Sequence, residues 1–306
     1  MPELPEVETI RRGLAKRLIG QKIKNVKVYE NKSFLVGSAN RVWLDGSIIK
    51  AVKRRAKVLI IELENEYTLL FHLKMTGQVI YRHSGSEIID EGNFAAGHPT
   101  GDWLMELPNK STRVEFEFED HSKLFFNDQR KFGWIKLLST PQVMEVKFLN
   151  ELGPEIVDFS QNLIPDKIKE STYKEFIGRA RHHGNSSVKA VILDQKVIAG
   201  IGNIYADEGL WGAKIHPATL VKNLNDRELR KLLREAKSSM TRSIESGGST
   251  MQTFVNADGS RGNYLELFAN VFRREGQPCP RCGTEIIKIR VAGRGTHICP
   301  KCQKMK

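Results

Sequence analysis

Proline and glutamate follow the initiator methionine, and this pair could attack an electrophilic carbon. Removal of Met1, which cellular aminopeptidases favour before a small residue, would leave Pro2 as a free secondary amine with Glu3 beside it. A free α-amino group has a reference pKa near ~8, so part of it is neutral and nucleophilic in a cell. Such an amine attacks an aldehyde-like carbon and forms an iminium, the Schiff-base route to covalent catalysis. The sequence therefore predicts a nucleophile at Pro2.

An amphipathic N-terminal helix is the structural alternative for the same residues. Acidic residues precede basic ones here, an order that suits the helix dipole. The features typical of a helix are Pro5 in the first turn, apolar Val7, Ile10, Leu14 and Leu18 at helical spacing, and Gly20 at the end. Taken alone, these residues favour a helix without catalysis, and both interpretations stay open at this point.

Four cysteines near the C-terminus have the spacing of a metal site. They form two C-x2-C pairs separated by sixteen residues: Cys279, Cys282, Cys299 and Cys302. This spacing is typical of structural zinc, which four thiolates bind tetrahedrally. Disulfides are the alternative, and the reducing cytoplasm expected for this chain argues against them. The sequence predicts one structural Zn²⁺ that holds a β-hairpin finger.

Two glycine-bearing segments could bind phosphate. Gly200 and Gly202 lead into a predicted helix that begins near Asn203. Helix N-termini present free N–H groups to anions, and Asn203 could cap the helix or contact a phosphate. Arg294 lies between two glycines at a predicted hairpin tip, where little side-chain bulk would hinder a phosphate contact. A tight helix connection and an ordinary exposed arginine are the alternatives.

The charge balance indicates a polyanionic partner. Among 306 residues, 48 are Lys or Arg and 36 are Asp or Glu, which gives a net charge of +12. A basic protein of this size favours nucleic acid, with improved solubility as the alternative explanation. No stretch is apolar enough to span a bilayer or to act as a signal core. We therefore expect a cytoplasmic protein that does not contact membranes.

Hydrophobic periodicity divides the chain into a strand-rich part and a helical part. Residues 23–138 read mostly as strands, with a long loop at residues 83–110. A linker is expected around residues 152–154, and helical periodicity follows from about 165 to 246. Residues 256–263 are polar and glycine-bearing, which predicts a mobile loop. These elements must position the reactive residues.

Several motifs occur together and in order along nearly the whole chain. The longest are PELPEVET at residues 2–9, AGIGNIYADE at 199–208 and GRGTHICPKC at 293–302. Shorter ones lie between them: RRAK at 54–57, HLKMTG at 72–77, NDQRKFG at 127–133 and LGPE at 152–155. With these motifs the chain closely resembles the formamidopyrimidine-DNA glycosylase family of bifunctional base-excision repair enzymes.

The resemblance implies an α+β, multidomain fold. An N-terminal β-sandwich that carries the N-terminal helix is expected over residues 1–150. A helical domain with a helix–two-turn–helix is expected over 151–272, and a β-hairpin zinc finger over 273–306. The implied partner is double-stranded DNA that contains oxidised bases or abasic sites, bound by a monomer.

The resemblance also implies catalytic roles. Pro2 would attack C1′ of the damaged nucleotide and expel the oxidised base, and Glu3 would act in acid–base steps on the sugar. Lys57 would assist elimination and hold a phosphate, while Arg294 would hold a phosphate from the finger and take part in the second elimination. The implied net reaction is base removal followed by β,δ-elimination.

Further positions match residues that contact DNA in the family. Met75, Arg130 and Phe132 match positions that fill the stack left by an extruded nucleotide, and Asn203 matches a phosphate contact. Ser111 and Gly184 stand where many members carry a phosphate-contacting His and Lys. Possible substitutes for those two contacts are Lys110, Arg113, Arg181 and His182.

Two other functions are weighed against this one. An endonuclease VIII-like enzyme would prefer oxidised pyrimidines, but its opening usually has Gly where this chain has Leu4. A non-catalytic zinc-finger protein that binds nucleic acid would keep the finger and the positive charge. Such a protein would have no need of Pro2, Glu3 and Lys57 together.

Overall fold

The computed structural model describes residues 2–36, 41–85, 93–97, 106–157, 167–247 and 268–306. Within these ranges the chain forms two compact units. The first holds the residues up to Asn150 together with Ser246 and Gly247, and the second holds Glu151–Glu245 and the residues from Phe268 onward. The second unit contains both the helices after Glu151 and the C-terminal finger. The division of residues 151–306 into two domains at residue 272 stays a prediction.

Helix α1 (Leu4–Leu18) opens the first unit, as the sequence predicts. Glu3 is its N-cap and a proline stands in the first turn, where a missing N–H costs no hydrogen bond. Its apolar side chains Val7, Ile10, Leu14 and Leu18 are all buried. The chain leaves the helix through Gly20, whose φ of +86° suits glycine.

In the described residues of the first unit, ten strands form two five-stranded sheets. One sheet has the order β1-β8-β9-β6-β7 and the other the order β2-β10-β5-β4-β3. The strands are β1 (Ile23–Val28), β2 (Phe34–Val36), β3 (Ile49–Arg55), β4 (Val58–Leu63), β5 (Tyr67–His72), β6 (Gly77–Arg82), β7 (Phe94–Gly97), β8 (Thr112–Phe118), β9 (Lys123–Asp128) and β10 (Trp134–Ser139). Short helices complete the unit: 3-10 turns at Asn31–Ser33, Arg41–Leu44 and Thr140–Glu145, and α2 (Lys147–Asn150).

The two sheets enclose one hydrophobic core, which confirms the β-sandwich. Every second residue of most strands points inward, as the period of a strand requires. The ring of Phe71 on β5 lies 6.0 Å from Phe116 on β8 and 6.2 Å from Phe126 on β9. These pairs join the two sheets, and the apolar face of α1 packs into the same core.

Strand β7 corrects the expectation of a continuous loop at residues 83–110. Phe94 pairs with Tyr81 of β6 and is buried in the sandwich core. A Cβ on Gly13 of α1 would lie 2.3 Å from the Phe94 ring, so glycine lets the helix approach this strand. Because β7 has four residues within a Gly- and Ser-rich segment, its hydrophobic pattern is too short to predict a strand.

The second unit is helical, as the sequence predicts. Its helices are α3 (Glu170–Arg181), α4 (Val188–Leu193), α5 (Asn203–Ala213) and α6 (Asp226–Glu245), with a 3-10 turn at Val221–Asn223. Strands β11 (Ile287–Val291) and β12 (Arg294–Ile298) form an antiparallel hairpin in the finger. In the described part of the chain, no helix has the length and apolar character needed to cross a membrane.

The segment at residues 152–154, predicted as a linker, is bonded to the second unit. The Gly153 N–H donates to the Gln195 carbonyl at 2.8 Å, and the Ala199 N–H donates to the Pro154 carbonyl at 2.9 Å. The glycine and proline therefore serve close packing against residues 195–199. The predicted mobile loop at residues 256–263 lies outside the described residues.

Candidate active site and nucleic-acid contacts

Pro2 lies directly before the capped end of α1. Pro2 and Glu3 are both buried. A Glu6 carboxylate oxygen accepts a hydrogen bond from the Glu3 N–H at 2.7 Å, and the Glu3 carbonyl accepts one from the Val7 N–H at 3.1 Å. The Glu3 side chain in turn accepts from the Glu6 N–H, and this bond together with the Glu6–Glu3 bond forms a capping box. The residue that follows Pro2 is thus held through both its N–H and its carbonyl.

Glu8 accepts hydrogen bonds from three arginines beside the first turns of α1. Its fully buried carboxylate accepts hydrogen bonds from Arg11 Nη2 and Arg12 Nε, each at 2.8 Å, and from Arg54 Nε at 3.3 Å. Burial opposes ionisation, but the hydrogen bonds from Arg11 and Arg12 and the charge of Arg54 outweigh it and lower the pKa of Glu8. Arg54 belongs to β3, so Glu8 ties the helix to the sheet. Sequence reasoning counted Glu8 only among the acidic residues near the helix start.

Lys57 lies in the two-residue turn between β3 and β4. Its side chain is buried, at 7 % exposure. The preceding Ala56 has φ of +50°, a left-handed conformation that the tight turn imposes. The Ala56 carbonyl accepts a hydrogen bond from Arg54 Nη1 at 2.8 Å. Arg54 therefore connects the Glu8 carboxylate on α1 to the turn that carries Lys57.

His72 provides a neutral neighbour for this turn. It pairs with Val58, the residue after Lys57, across strands β4 and β5. Burial, together with the charges of Lys74 and Lys57, lowers its pKa to about 3. Its Nδ1 accepts a hydrogen bond from the Lys74 N–H at 3.1 Å. The imidazole is thus uncharged at neutral pH and leaves the positive charge to the lysines.

The three residues predicted to fill the stack, here called the wedge residues, are Met75, Arg130 and Phe132. Met75 lies in the β5–β6 turn and is 39 % exposed, and Phe132 lies in the β9–β10 turn and is 55 % exposed. The Arg130 guanidinium carbon is 4.9 Å from the centre of the Phe132 ring. Exposed large apolar side chains beside a cation are suited to insert between bases.

In the second unit, the structure brings Asn203 close to the finger. Its Nδ2 donates to the Gly295 carbonyl at 3.0 Å. The predicted capping role is wrong, because Gly202 is the N-cap of α5 and Asn203 is its first residue. The predicted Gly-Arg-Gly turn also needs correction. Ala292 and Gly293 form the turn with positive φ, whereas Arg294 begins β12, paired with Val291 and exposed.

A buried ion pair that sequence reasoning missed joins the finger to α5. Lys189 Nζ of α4 donates to Asp207 Oδ1 at 2.6 Å and to Thr296 Oγ1 at 2.7 Å. The other oxygen of Asp207 accepts the His297 N–H at 2.9 Å. Because Thr296 and His297 follow Gly295 on β12, this network fixes the strand that Arg294 begins.

Ser111 and Gly184 have little side chain to offer DNA. Ser111 is only 2 % exposed. The Gly184 carbonyl accepts a hydrogen bond from the Lys222 N–H at 3.0 Å, in the turn after α3. Of the possible substitutes, Arg113 Nε donates to the Asp128 carbonyl at 2.8 Å, and Arg181 Nη2 bonds to Asp226 at 2.6 Å. The DNA contacts predicted at Ser111 and Gly184 stay predictions without geometric support.

The four cysteines form a cluster that fits one structural zinc. All four are free of disulfides, and their sulfur atoms lie within 4.8 Å of one another. A tetrahedral zinc–thiolate site with bonds of 2.3 Å needs sulfur atoms about 3.8 Å apart. Donors point at the sulfurs, as thiolates require: Trp211 Nε1 lies 3.4 Å from Cys279 Sγ, and the Cys302 N–H lies 3.4 Å from Cys299 Sγ.

Comparison with known families gives matches to all three regions. The formamidopyrimidine-DNA glycosylase N-terminal domain matches residues 1–135, and the H2TH domain of the same enzymes matches residues 163–255. The zinc finger found in FPG and IleRS matches residues 276–304.

Curated relatives match along the full chain. The formamidopyrimidine-DNA glycosylases of Pelotomaculum thermopropionicum and Streptococcus pyogenes serotype M28 are each 38 % identical, with 100 % of both chains covered. Among solved structures, Lactococcus lactis Fpg bound to DNA with N7-benzyl-Fapy-dG is 33 % identical, with a TM-score of 0.80. The same protein bound to DNA with an abasic site is 34 % identical, with a TM-score of 0.79. Both alignments cover 99 % of this chain and 100 % of the other.

A β-sandwich with a capped N-terminal helix, a helical H2TH unit and a four-cysteine finger define a DNA glycosylase of the helix–two-turn–helix class. The chain belongs to the formamidopyrimidine-DNA glycosylase family.

Proposed function

We propose that this DNA glycosylase removes oxidised purines from duplex DNA through a Schiff base on Pro2 and then cuts the strand as an AP lyase. The observation that carries the proposal is the placement of Pro2. The capping box fixes the residue after Pro2, and the Glu8–Arg54 pair ties the same helix to the Lys57 turn. An amine nucleophile thus starts from a rigid element that also lies against a buried lysine turn.

The first step uses the Pro2 nitrogen as nucleophile. Its lone pair forms a bond to C1′ of the damaged nucleotide, and the electron pair of the glycosidic bond leaves with the base, which takes up a proton. Opening of the sugar ring then gives an iminium between Pro2 and C1′. Glu3, next to Pro2, is proposed to move protons on the sugar oxygen in this step. A retained Met1 would acylate the Pro2 nitrogen and remove its lone pair from the reaction.

The iminium prepares both eliminations. It acidifies the C2′ hydrogen, so loss of that proton expels the 3′ phosphate, and a second elimination expels the 5′ phosphate. Lys57 is proposed to assist the first elimination and to hold a phosphate, which its charge and the uncharged His72 beside its turn support. Arg294 is proposed to hold a phosphate from the finger and to take part in the second elimination. Its exposed position at the start of β12 supports the phosphate contact.

The target nucleotide has to leave the duplex before Pro2 can reach it. Extrusion costs roughly a few kcal/mol, and the vacated space must be filled. Met75 and Phe132 are proposed to enter the stack as apolar wedges, and Arg130 to hydrogen-bond the orphaned base. Their exposure and the stacking of Arg130 on Phe132 support these roles.

Zinc is proposed to act structurally and not on the substrate. It binds four cysteines of a short hairpin whose small apolar core includes Val271 and Ile286. Metal binding in such a module supplies folding free energy. Zinc therefore stabilises the hairpin from which Arg294 reaches a phosphate, while Asn203 contributes a second phosphate contact.

The partner is proposed to be double-stranded DNA bound by a monomer. The net charge of +12 supports binding to a polyanion, and phosphate contacts make such binding strongly salt-dependent. The curated relatives are bacterial proteins, and we propose that this protein works on the nucleoid in the cytoplasm.

Borohydride trapping tests the mechanism. The protein is incubated with a duplex containing 8-oxoguanine opposite cytosine, borohydride is added, and a covalent protein–DNA adduct is expected. The adduct should be strongly reduced in Pro2→Gly, because a primary amine replaces the secondary amine, and should be unchanged in Pro141→Gly, a control at an exposed proline. Absence of the adduct in the wild-type protein, or an undiminished adduct in Pro2→Gly, contradicts the proposal. An intact-mass measurement should show that Met1 has been removed.

Activity on oxidised pyrimidines is the second candidate. A solved structure of Lactococcus lactis Fpg holds DNA that contains an oxidised pyrimidine, so one fold accommodates both lesion classes in that relative. Duplexes with dihydrouracil, assayed beside 8-oxoguanine, rank the two classes for this chain. Faster excision of 8-oxoguanine is expected, and faster excision of dihydrouracil would reverse the assignment.

A further inference from the structure

We infer that Asp128 and Thr76 are positioning residues that set the spacing of the wedge residues and thereby the selectivity for the base opposite the lesion. The inference deepens the proposed function, because it rests on the roles given to Met75, Arg130 and Phe132. Its basis is a single buried carboxylate that bonds to both turns from which these side chains project.

Asp128 ends β9 and is fully buried. One of its oxygens, Oδ1, accepts hydrogen bonds from the Thr76 hydroxyl and from the Arg130 N–H, the latter at 3.2 Å. The other oxygen, Oδ2, accepts the Gly133 N–H at 2.6 Å. Both carboxylate oxygens are therefore used, and the bonds reach residues on either side of Phe132.

Thr76 completes a closed set of bonds between the two turns. Its hydroxyl donates to Asp128 and accepts from the Arg130 N–H at 3.2 Å. Thr76 follows Met75 directly, so one side chain joins the Met75 turn to the backbone of Arg130. The strands beneath the turns are also paired, because Gly77 lies opposite Asp128 in the β6–β9 ladder.

The β9–β10 turn fits tightly against this carboxylate. Lys131 has φ of +57°, an uncommon left-handed conformation for a non-glycine residue. A Cβ on Gly133 would lie 2.7 Å from the Phe126 ring and 3.1 Å from Asp128 Oδ2. Glycine at this position permits the close approach that makes the 2.6 Å hydrogen bond to Asp128.

The backbone of Asp128 is hydrogen-bonded to two residues that were considered above as DNA contacts. Its N–H donates to the Ser111 carbonyl at 2.9 Å, and its carbonyl accepts Arg113 Nε at 2.8 Å. Ser111 and Arg113 thus support Asp128 from the protein interior. This contact accounts for the buried Arg113 side chain, whereas Ser111 acts through its backbone carbonyl.

The consequence is a fixed distance between the apolar wedge on one turn and the cation on the other. If Arg130 hydrogen-bonds the orphaned base, its reach depends on where the Asp128 carboxylate holds its backbone. An amide at position 128 has one acceptor oxygen and a donor NH₂. That oxygen can accept either from Thr76 and Arg130 or from Gly133. The amide NH₂ then faces the N–H donor on the other side, and those two donors have no acceptor between them.

The matched test compares Asp128→Asn with Asp120→Asn. Asp120 lies in the β8–β9 turn at the opposite end of β9, where its carboxylate accepts hydrogen bonds from Ser122 and Gln21. Thr76→Val removes the hydroxyl while keeping nearly the same side-chain shape, whereas Thr76→Ser keeps the hydroxyl. The Thr76 pair keeps the test informative if Asp128→Asn does not fold.

Two readouts separate positioning from general damage. The first is the ratio of single-turnover excision rates for 8-oxoguanine opposite cytosine and opposite adenine. The second is the fluorescence of 2-aminopurine placed opposite a tetrahydrofuran abasic analogue, which reports stacking on protein binding without any chemistry. Cleavage of an abasic site in single-stranded DNA serves as the reference reaction, since no opposite base or stack is involved.

We expect Asp128→Asn and Thr76→Val to change the cytosine-to-adenine ratio by about 10-fold, the equivalent of one unsatisfied buried hydrogen bond. Both should reduce the 2-aminopurine response and retain single-strand cleavage. Asp120→Asn and Thr76→Ser should behave as wild type. A wild-type ratio and response in both test variants, or equal losses in all three assays, overturns the inference. If the wild type excises nothing, the proposed function fails while the fluorescence arm still decides the inference.

Discussion

Arg54 Nε lies 3.3 Å from Glu8 Oε2, and both side chains are buried. This ion pair links strand β3 to the helix whose first turn follows Pro2. Glu8 is four residues after Leu4, the first residue of the helix, which is about 6 Å at 1.5 Å per residue, so the pair anchors the first turns of the helix that follows Pro2. A buried charge stabilises a fold only when its partners are present.

We expect Glu8→Gln to lower both stability and trapping. Removing one partner leaves buried guanidinium groups without their carboxylate, a loss of about 3–5 kcal/mol in the free energy of unfolding. Urea unfolding measures the loss, and the rate of borohydride trapping measures its effect on Pro2. Glu117→Gln, which breaks the surface pair with Lys24, should cost about 1 kcal/mol or less. Equal losses in the two variants would contradict the anchoring role.

The buried His72 predicts a specific pH dependence of stability. Its pKa is about 3 in the folded protein and near its ordinary 6.5 in the unfolded protein. As the pH falls, the unfolded state therefore binds a proton before the folded state does. The stability that follows from the neutral imidazole is complete above pH 6.5 and is lost as pH falls toward 3. When the pH falls from 7 to 5, protonation of His72 in the unfolded state should lower the free energy of unfolding by about 2 kcal/mol.

Urea unfolding at pH 7 and pH 5 measures this loss. In His72→Gln the pH dependence should be smaller by that amount, with His121→Gln as a matched control at an exposed histidine. An unchanged dependence in His72→Gln would show that another group titrates in this range.

Trp211 is expected to slow zinc release. Its Nε1–H points at Cys279 Sγ at 3.4 Å, and Arg281 stacks on the indole with its guanidinium carbon 3.9 Å from the ring centre. Loss of such a hydrogen bond to a metal ligand typically costs 10- to 100-fold in affinity, that is, about 1–3 kcal/mol. Trp211→Phe should therefore release zinc faster to a colorimetric chelator. Trp43→Phe, in the first unit, should match the wild type, and identical release curves for all three proteins count against the prediction.

Arg294 is expected to contribute one phosphate contact. Arg294→Ala should weaken DNA binding similarly for all sequences and reduce the slope of log K against log salt by about 1. Fluorescence anisotropy over a salt series measures the slope. Lys53→Ala, at an exposed lysine paired with Glu62, should leave it nearly unchanged. A slope in Arg294→Ala equal to that of the wild type would place the phosphate contact elsewhere.

Local patterns predicted a large part of the architecture. Helical spacing of apolar residues predicted α1, and the helical periodicity predicted from about 165 to 246 includes α6. The strand-rich range predicted at 23–138 includes strands such as β4 and β8, and two cysteine pairs predicted the metal cluster. Each of these signals lies within one element or one short module, where chain periodicity alone decides which side chains share a face.

The contacts that position the site come from tertiary structure. Arg54 hydrogen-bonds to Glu8, 46 residues away in the sequence, and Thr76 hydrogen-bonds to Asp128, 52 residues away. Lys189 bonds to Thr296 across 107 residues and thereby fixes the strand that Arg294 begins. Hydrophobic periodicity does not specify which buried charges meet, since that depends on how strands order within a sheet and how helices pack. The sequence by itself thus determined the family motifs and many of the elements that carry them, and it predicted Pro2 at a helix start as a reactive residue. Only the folded chain decided how that helix, the wedge residues and the finger are held, because burial makes each polar group depend on partners distant in sequence.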